Sequence, residues 1–252
     1  MKMKKGLLTM LALLSMGSSV FAQGTVNVPT VVRKAGPVKE VSVVAARQGI
    51  VKVELAGGTT YRDLQFDLTL PAGITVTTDG GVVKDAAAQH TVAFNAVSDQ
   101  VVRFVVYNDG QDDNVAEKFT DGIIVEIPVE VAADFTGEKP AKMDGILTSD
   151  DEARTSIALA DANFNIRAVI LGDVNDDGNV TNSDQVAIVM HLLDEPSTPF
   201  VFEAADMEYN AANPNEITNA DAISLADKLL SSSAKEFVED VVSDVETEIE
   251  PD

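Results

Sequence analysis

The sequence predicts two domains: an N-terminal all-β sandwich over residues 38–170 and a small α-helical module over residues 171–230, the latter built from a duplicated loop–helix unit. Three observations carry this. Between 38 and 170 apolar residues recur at every second position in short runs separated by turn residues, with no helical period. After Ile170 the pattern switches to a period near 3.6. Residues 180–193 then recur at 217–230, an offset of 37, with Thr, Asn, Asp and a Leu-Leu pair in matching places.

Ahead of the sandwich, residues 1–22 read as a secretory signal. Lys2, Lys4 and Lys5 supply the charged start, residues 7–14 an apolar stretch too short for a bilayer, and Val20-Phe21-Ala22 a small residue before cleavage. The expectation is a secreted, extracellular product beginning near Gln23, with residues 23–37 as a lead into the sandwich. No later run is long and apolar enough to be a membrane span. The chain has no Cys, so stability in an oxidising compartment must come from a core, from metal, or from both.

The formal charge is −23, and loss of the three signal lysines takes it to −26. Such a surface repels nucleic acid and anionic lipid. It keeps an exported protein soluble, and part of it can await divalent cations.

Within the sandwich, 41–46 and 50–56 are short β-rich runs split by Arg47-Gln48-Gly49. Residues 61–70 form the clearest strand, with Leu64, Phe66, Leu68 and Leu70 on one face and Gln65, Asp67 and Thr69 on the other. Strands are also expected at 91–95 and 101–107. Val125, Ile127, Val129 and Val131 make a further face, where Pro128 predicts an edge strand because it cannot donate to a ladder. A last strand is expected at 163–170.

This domain offers little chemistry, and no catalytic residue is predicted. His90 reads as a structural histidine at a strand end. Asp63, Asp67, Glu126 and Glu130 lie at outward positions, where paired carboxylates could serve glycoside hydrolysis, but an acidic surface supplies such pairs by chance. The oxygen-rich loop 108–114 lacks metal-loop register and reads as a surface turn. There is no Trp, so only Tyr61 and Tyr107 are left as rings for stacking on a sugar.

The richest stretch opens the second domain. Asp173, Asn175 and Asp177 alternate, Gly178 follows at once, and Asp184 closes a window of twelve. This is the spacing of an EF-hand-type calcium loop. Alternation points three oxygen side chains at one centre, Gly178 supplies the sharp turn, the Asn179 carbonyl is the seventh-position ligand, and Asp184 binds from the first turn of a helix. Asp stands there in place of the longer Glu, so the helix must lie closer to the ion. Val186, Val189 and Leu193 then form a helical stripe with Ile188 and Leu192 beside it.

In the repeat, Asp206 opens and Asp221 closes. Four extra residues intervene and the position-six Gly is missing. Asp206, Glu208, Asn210 and Asp221 can still close round an ion with the insertion looped out. Alternatively the unit keeps its helix and packs as a metal-free partner.

Two resemblances follow. The stretch Asp63-Leu64-Gln65-Phe66-Asp67-Leu68-Thr69-Leu70-Pro71-Ala72-Gly73, after two short strands around Gln48-Gly49, resembles the early strand of cohesin-like sandwich domains. The run Gly172-Asp173-Val174-Asn175-Asp176-Asp177-Gly178-Asn179-Val180-Thr181, with its duplication, resembles a type I dockerin over residues 171–230. That likeness implies calcium-dependent folding and docking to a cohesin-bearing protein. It implies contacts from Asn182 and Ser183, from Asn219 and Ala220 in the repeat, and from Met190, His191, Asp227 and Lys228 on the helices. The basic pair frequent on dockerin helices is absent, so partner specificity must differ.

Residues 231–252 form an acidic tail. Phe237, Val238, Val241, Val242, Val245 and Ile249 recur at helical spacing. It reads either as a solvating tail or as an amphipathic segment covering an apolar patch. The function expected is a secreted, non-catalytic, calcium-dependent assembly protein in an extracellular, polysaccharide-related complex. The alternatives are a carbohydrate-binding or adhesion sandwich tethered by the dockerin, or a glycoside-active enzyme. The sandwich can itself receive a dockerin, and a chain with both halves of a docking pair can self-associate.

Overall fold

The computed structural model describes residues 24–33, 35–57, 60–84, 87, 90–108, 118–119, 121–149, 156–195, 198–210, 213 and 215–232. The signal at 1–22, most of the loop 108–114 and the tail beyond 232 lie outside these. No helix among the described residues is long and apolar enough to cross a membrane.

Two sheets face one another across a single core. One has the order β1 (Thr25–Asn27), β4 (Gln48–Ala56), β10 (Gly122–Val131), β6 (Ile74–Val76), with β7 (Val82–Val83) also on β10. The other runs β2 (Thr30–Arg33), β3 (Gly36–Val43), β13 (Ala162–Ala168), β11 (Glu138–Ser149), β5 (Leu64–Thr69), β9 (Val101–Tyr107), β8 (Thr91–Ser98), with β12 (Ser156–Ala158) on β11. The β13–β3 pair is parallel, and the other pairs are antiparallel.

The alternation read in the sequence sets the faces. Leu64, Phe66 and Leu68 of β5 are buried, as are Val125, Ile127 and Val129 of β10. Phe66 stacks on Phe104 at 5.3 Å and Phe104 on Phe94 at 5.8 Å, a ring ladder across β5, β9 and β8. Such a ladder joins strands of one sheet; Phe66 and Phe104 fill the core, while Phe94 is exposed.

Three expectations need correction. The lead at 23–37 belongs to the sandwich: β1 pairs with β4 and β2 with β3. Pro128 does not mark an edge, since β10 lies between β4 and β6. It is tolerated because β7 covers Val125 and Glu126 while β6 covers only Val129–Val131, so Pro128 falls in the gap. There it needs no N–H, and its carbonyl accepts from Thr77 at 3.0 Å. Tyr61 is no sugar platform: it is 2% exposed, and its hydroxyl accepts from the Gly24 N–H at 3.1 Å.

The second domain packs α1 (Asn182–Leu192), α2 (Phe202–Ala205) and α3 (residues 219–232). Its small core holds Val174, Ala187, Ile188, Ala205 and Leu225, flanked by Val180, Leu192, Ile217 and Leu229. Ile188 and Leu225, Leu192 and Leu229, Val180 and Ile217 are each 37 apart, so the duplication is a pseudo-twofold in packing.

Candidate metal loops and docking face

Each helix opens with the same cap. Thr181 is the N-cap of α1 and accepts from the Ser183 N–H at 3.2 Å. Asp184 Oδ2 accepts from the Thr181 N–H at 2.8 Å, completing a capping box. In the repeat the Ala220 N–H donates to Thr218 Oγ1 at 3.2 Å, and the Thr218 N–H to Asp221 Oδ2 at 2.8 Å. The other oxygen of each closing Asp reaches back to its loop. Asp184 Oδ1 accepts from Val174 and Asn175 N–H, and Asp221 Oδ1 from Glu208 N–H.

Side-chain turns wind the first loop. Asp173 accepts from the N–H groups of Asp177 and Gly178, both at 3.0 Å. Asn175 Oδ1 accepts from Asp177 N–H, and Asp177 Oδ1 from Asn179 N–H. Gly178 has φ +90, a conformation that favours glycine. Gly172, at φ +98, has a second reason to lack a side chain: a Cβ there would meet Val180 Cγ1 at 2.9 Å and Leu225 at 3.1 Å.

In the second loop Asp206 Oδ2 accepts from the Asn215 N–H at 2.9 Å, the bond that Gly178 makes to Asp173. Asn215 has φ +64. It therefore takes the turn position that the sequence left vacant, because Asn adopts the left-handed region more readily than other side-chain-bearing residues. The residue before it is Pro214, which has no side-chain oxygen where the first loop has Asp177.

The predicted ligands divide accordingly. Asp173, Asp184, Asp206 and Asp221 are all buried, while Asp177 and Asn179 are exposed and Asn175 half-buried. Burial pushes the Asp173 carboxyl up, and the nearby Asp184 and Asp177 carboxylates add to this. Asp206 is raised by burial and by Asp221. The donor set of the first loop suits a hard cation: three carboxylates, an amide oxygen and a carbonyl. In the arrangement described, Asp184 is given over to its four cap and loop donors, counting Thr181 Oγ1. Among the described residues no group of three or more acidic, His or Cys side chains is placed to hold a metal ion. The Glu208 carboxylate lies outside its loop, accepting from Ser224, and Asn210 is exposed.

The predicted partner residues are placed unevenly. Asn182, Ser183, Asn219, Ala220, Asp227 and Lys228 are exposed. Lys228 also donates to the Leu171 carbonyl at 2.6 Å. His191 is half-buried: it stacks on Phe200 at 4.6 Å and meets Phe202 edge-on. Met190 is half-buried. The stripe Val186, Val189, Leu193 faces solvent, and so do Ile223 and Leu230 of α3. Val186 and Ile223, and Leu193 and Leu230, are again 37 apart. The unbroken apolar run 186–190 leaves the inward face of α1 ambiguous in sequence, and the structure settles it on Ala187 and Ile188.

Two arginines join the loops to the sandwich. Arg167 at the end of β13 donates to Asp176 Oδ1 at 2.7 Å and to the buried Glu40 at 2.9 Å. Arg47, in the turn between β3 and β4, donates to the carbonyls of Asp206 and Met207 and lies over the Tyr209 ring at 5.6 Å. On the sandwich surface the outward carboxylates are matched separately. Asp67 is paired with Arg103, whose hydrogen bond holds its carboxyl below the usual range, and Glu126 with Lys84 and Lys52. Asp63 accepts from Ser149, and Glu130 is exposed.

No protein-family model matches the chain, and no curated protein matches it. Among solved structures it is similar to the sixth cohesin of scaffoldin B from Acetivibrio cellulolyticus, crystallised with a Cel5 dockerin. That match has 15% identity and TM-score 0.43, over 57% of this chain and 99% of that one. It is also similar to a non-cellulosomal cohesin from Archaeoglobus fulgidus, at 11% identity and TM-score 0.41 over 57% and 92% of the two chains. A third is the Coh-OlpA-Doc918 complex from Clostridium thermocellum, at 18% identity and TM-score 0.42 over 56% and 99%.

Proposed function

We propose that the chain is a non-catalytic assembly protein whose duplicated loop–helix module docks, in a calcium-dependent manner, onto a cohesin-bearing partner outside the cell. The observation that carries this reading is the repeated apolar face. Val186 and Leu193 on α1, and Ile223 and Leu230 on α3, are exposed in matching register. Exposed apolar groups that cluster on one element mark interaction surfaces, whereas single ones do not. Each pair stands on a helix whose first turn is held by a closing Asp, so the loops set where the face lies.

Calcium in the first loop would be held by Asp173, Asn175, Asp177, the Asn179 carbonyl and Asp184. A hard dication there would favour the charged form of Asp173 against the burial, and the smaller repulsion from Asp184 and Asp177, that raise its carboxyl. The second loop keeps Asp206 and Asp221, with Pro214 in place of one donor. The reading is therefore one occupied loop and one metal-free loop that closes with the same cap. The test is capture of secreted proteins on the immobilised chain with calcium and with EDTA, identifying what is retained. A cohesin-bearing protein retained only with calcium is expected. Retention of none, or retention indifferent to EDTA, removes the docking role.

A further inference from the structure

The larger sheet ends at β8, and no strand among the described residues pairs with the outer edge of β8. Its sequence, Thr91-Val92-Ala93-Phe94-Asn95-Ala96-Val97-Ser98, has no charged residue and no Pro, and residues 93–98 are all exposed. Edge strands are kept single by charges, by proline or by bulges, because a row of free N–H and C=O groups accepts another strand. β8 has one such device, a bulge between Ala96 and Ser98. Residues 91–96 are left regular and unguarded.

The ring ladder shows what fits there. Phe66 lies directly opposite Phe104, and Phe104 directly opposite Phe94. The first two are fully buried, whereas Phe94 is 39% exposed. Phe94 is seated against Gly80, where an added Cβ would come within 2.0 Å of the ring. Phe104 covers its inner side, so its open side is toward the free edge. A strand added here is complementary when it brings an aromatic ring opposite Phe94.

β8 of a second copy does this by symmetry. A twofold axis normal to the sheet gives an antiparallel pair whose faces stay on the same sides, so even positions oppose even and odd oppose odd. Centred on Phe94, it sets Phe94 against Phe94, Val92 against Ala96, and Ala93 against Asn95, all short of the bulge.

The distribution of charge suits a like chain at this edge. Residues 171–232 hold twelve acids and one Lys, and Arg167 at the end of β13 fixes that acidic module to the sheet. β8 lies four strands from β13, about 19 Å at the usual spacing. Copies joined at β8 keep their acidic modules roughly 43 Å apart, several Debye lengths at physiological salt. Arg103 and Asp67, on the neighbouring strands, are paired with each other. The contact itself is then neutral against neutral. It is also short. Six residues a side fall well below the roughly 20–30 of a permanent interface, so the pair is weak and reversible.

We propose that the chain forms a twofold dimer by antiparallel pairing of β8 with β8 of a second copy, Phe94 opposite Phe94, so that one sheet continues through both. This does not depend on metal or on any cohesin partner.

The test is sedimentation equilibrium of the full chain in EDTA, from about 10 µM to 1 mM. It is repeated on the double variants Ala93→Glu/Asn95→Glu and Ala93→Lys/Asn95→Lys, at exposed positions that face each other across the axis. The mass of the unaltered chain should rise toward that of a dimer, half-way at a concentration on the order of 100 µM. Each double variant should stay monomeric, because like charges then meet at both pairs. An equimolar mixture of the two should regain the dimer, because acid then faces base, and this recovery shows that both variants fold. A chain still monomeric at 1 mM overturns the proposal. So do variants that associate like the unaltered chain, which would place the contact on another surface. So does a mixture that stays monomeric, or a mass that grows past the dimer. Association that appears only when calcium replaces EDTA would assign it to the helical module, and overturns the proposal as well.

Discussion

Arg167 Nη1 donates to Asp176 Oδ1 at 2.7 Å, and through this bond the last strand of the sandwich grips the first loop. The same guanidinium holds Glu40, whose side chain is fully buried, and Arg33 holds Glu40 and Glu138. The result is an alternating chain of charges, Glu138, Arg33, Glu40, Arg167, Asp176. It explains the doubled acid Asp176-Asp177: one residue turns to the sandwich and the other stays in the loop. Arg167→Met leaves the buried Glu40 with Arg33 alone, and the lost charge-assisted bonds cost about 1.5–3 kcal/mol. Asp176→Asn keeps the shape and weakens one charge-assisted bond, at about 1 kcal/mol. Urea unfolding of both variants checks this, and equal effects would contradict the shared role of Arg167.

Asn215 and Gly178 make the same bond to the opening Asp of their loops, and both have positive φ. Gly178→Ala meets no atom within 4 Å, so its cost is backbone strain alone, about 1–2 kcal/mol. Asn215→Gly relieves what strain there is but loses the Nδ2 bond to Glu203 Oε1 at 3.1 Å, so it should cost about 1 kcal/mol. Asn215→Val, β-branched at φ +64, should cost at least as much as Gly178→Ala. Thermal unfolding followed by helical ellipticity orders the three.

The carboxyls of Asp173 and Asp206 sit above the 3.8 of an ordinary aspartate, chiefly through burial. With a raised folded-state pKa, the folded chain binds more protons than the unfolded one above that value. Without metal, these groups make stability rise as pH falls from neutral toward the carboxylate range, levelling off below the unfolded value. Asp67 works the other way, since its pKa is lowered by Arg103, and its contribution is lost only as pH falls below 3.8. Calcium in the first loop would reverse the contribution of Asp173, because protons compete with the ion, while Asp206 in the metal-free loop would keep its own. Urea midpoints at pH 7 and pH 5, in EDTA and in calcium, should therefore move in opposite directions.

Much of this was legible in the sequence, and the parts that were not have physical reasons. Alternation placed Phe66 and Ile127 in the core because a half-buried strand has a period of two. The offset of 37 put Thr218 and Asp221 in the places of Thr181 and Asp184, and the same cap forms there because that motif is local. Pro128 misled because its tolerance depends on where β6 stops and β7 starts, a fact about other segments. Tyr61 misled because the ring packs into the core and its hydroxyl partner is Gly24, 37 residues away. Asn215 was passed over because the insertion moved the turn residue away from its expected place. His191 looked outward because Phe200 and Phe202 lie beyond the helix that carries it.

Calcium stoichiometry separates the two loops. The first retains all its oxygen donors, and the second has Pro214 where a carboxylate would stand and Glu208 turned to Ser224. Titration of the intact chain should give one site. Asp173→Ala should abolish it, and Asp206→Ala should leave it within about threefold in affinity, because each acts on its own loop. Loss of binding in both variants would mean that the loops share the ion or fold as one.

The repeated face makes a sharper prediction about docking. Val186 and Ile223 are 59% and 62% exposed, so a charge at either should change stability by no more than about 0.5 kcal/mol. If a partner reads one helix, then Val186→Glu or Ile223→Glu alone abolishes binding and the other is silent. If the two helices are interchangeable under the pseudo-twofold, each single variant leaves the partner one intact face. The observed affinity then falls only about twofold, and the double variant removes it. Isothermal titration against a captured partner distinguishes these cases. The matching register of Val186 with Ile223 and of Leu193 with Leu230 favours the interchangeable one, since a face used once has no physical reason to keep its copy apolar and exposed.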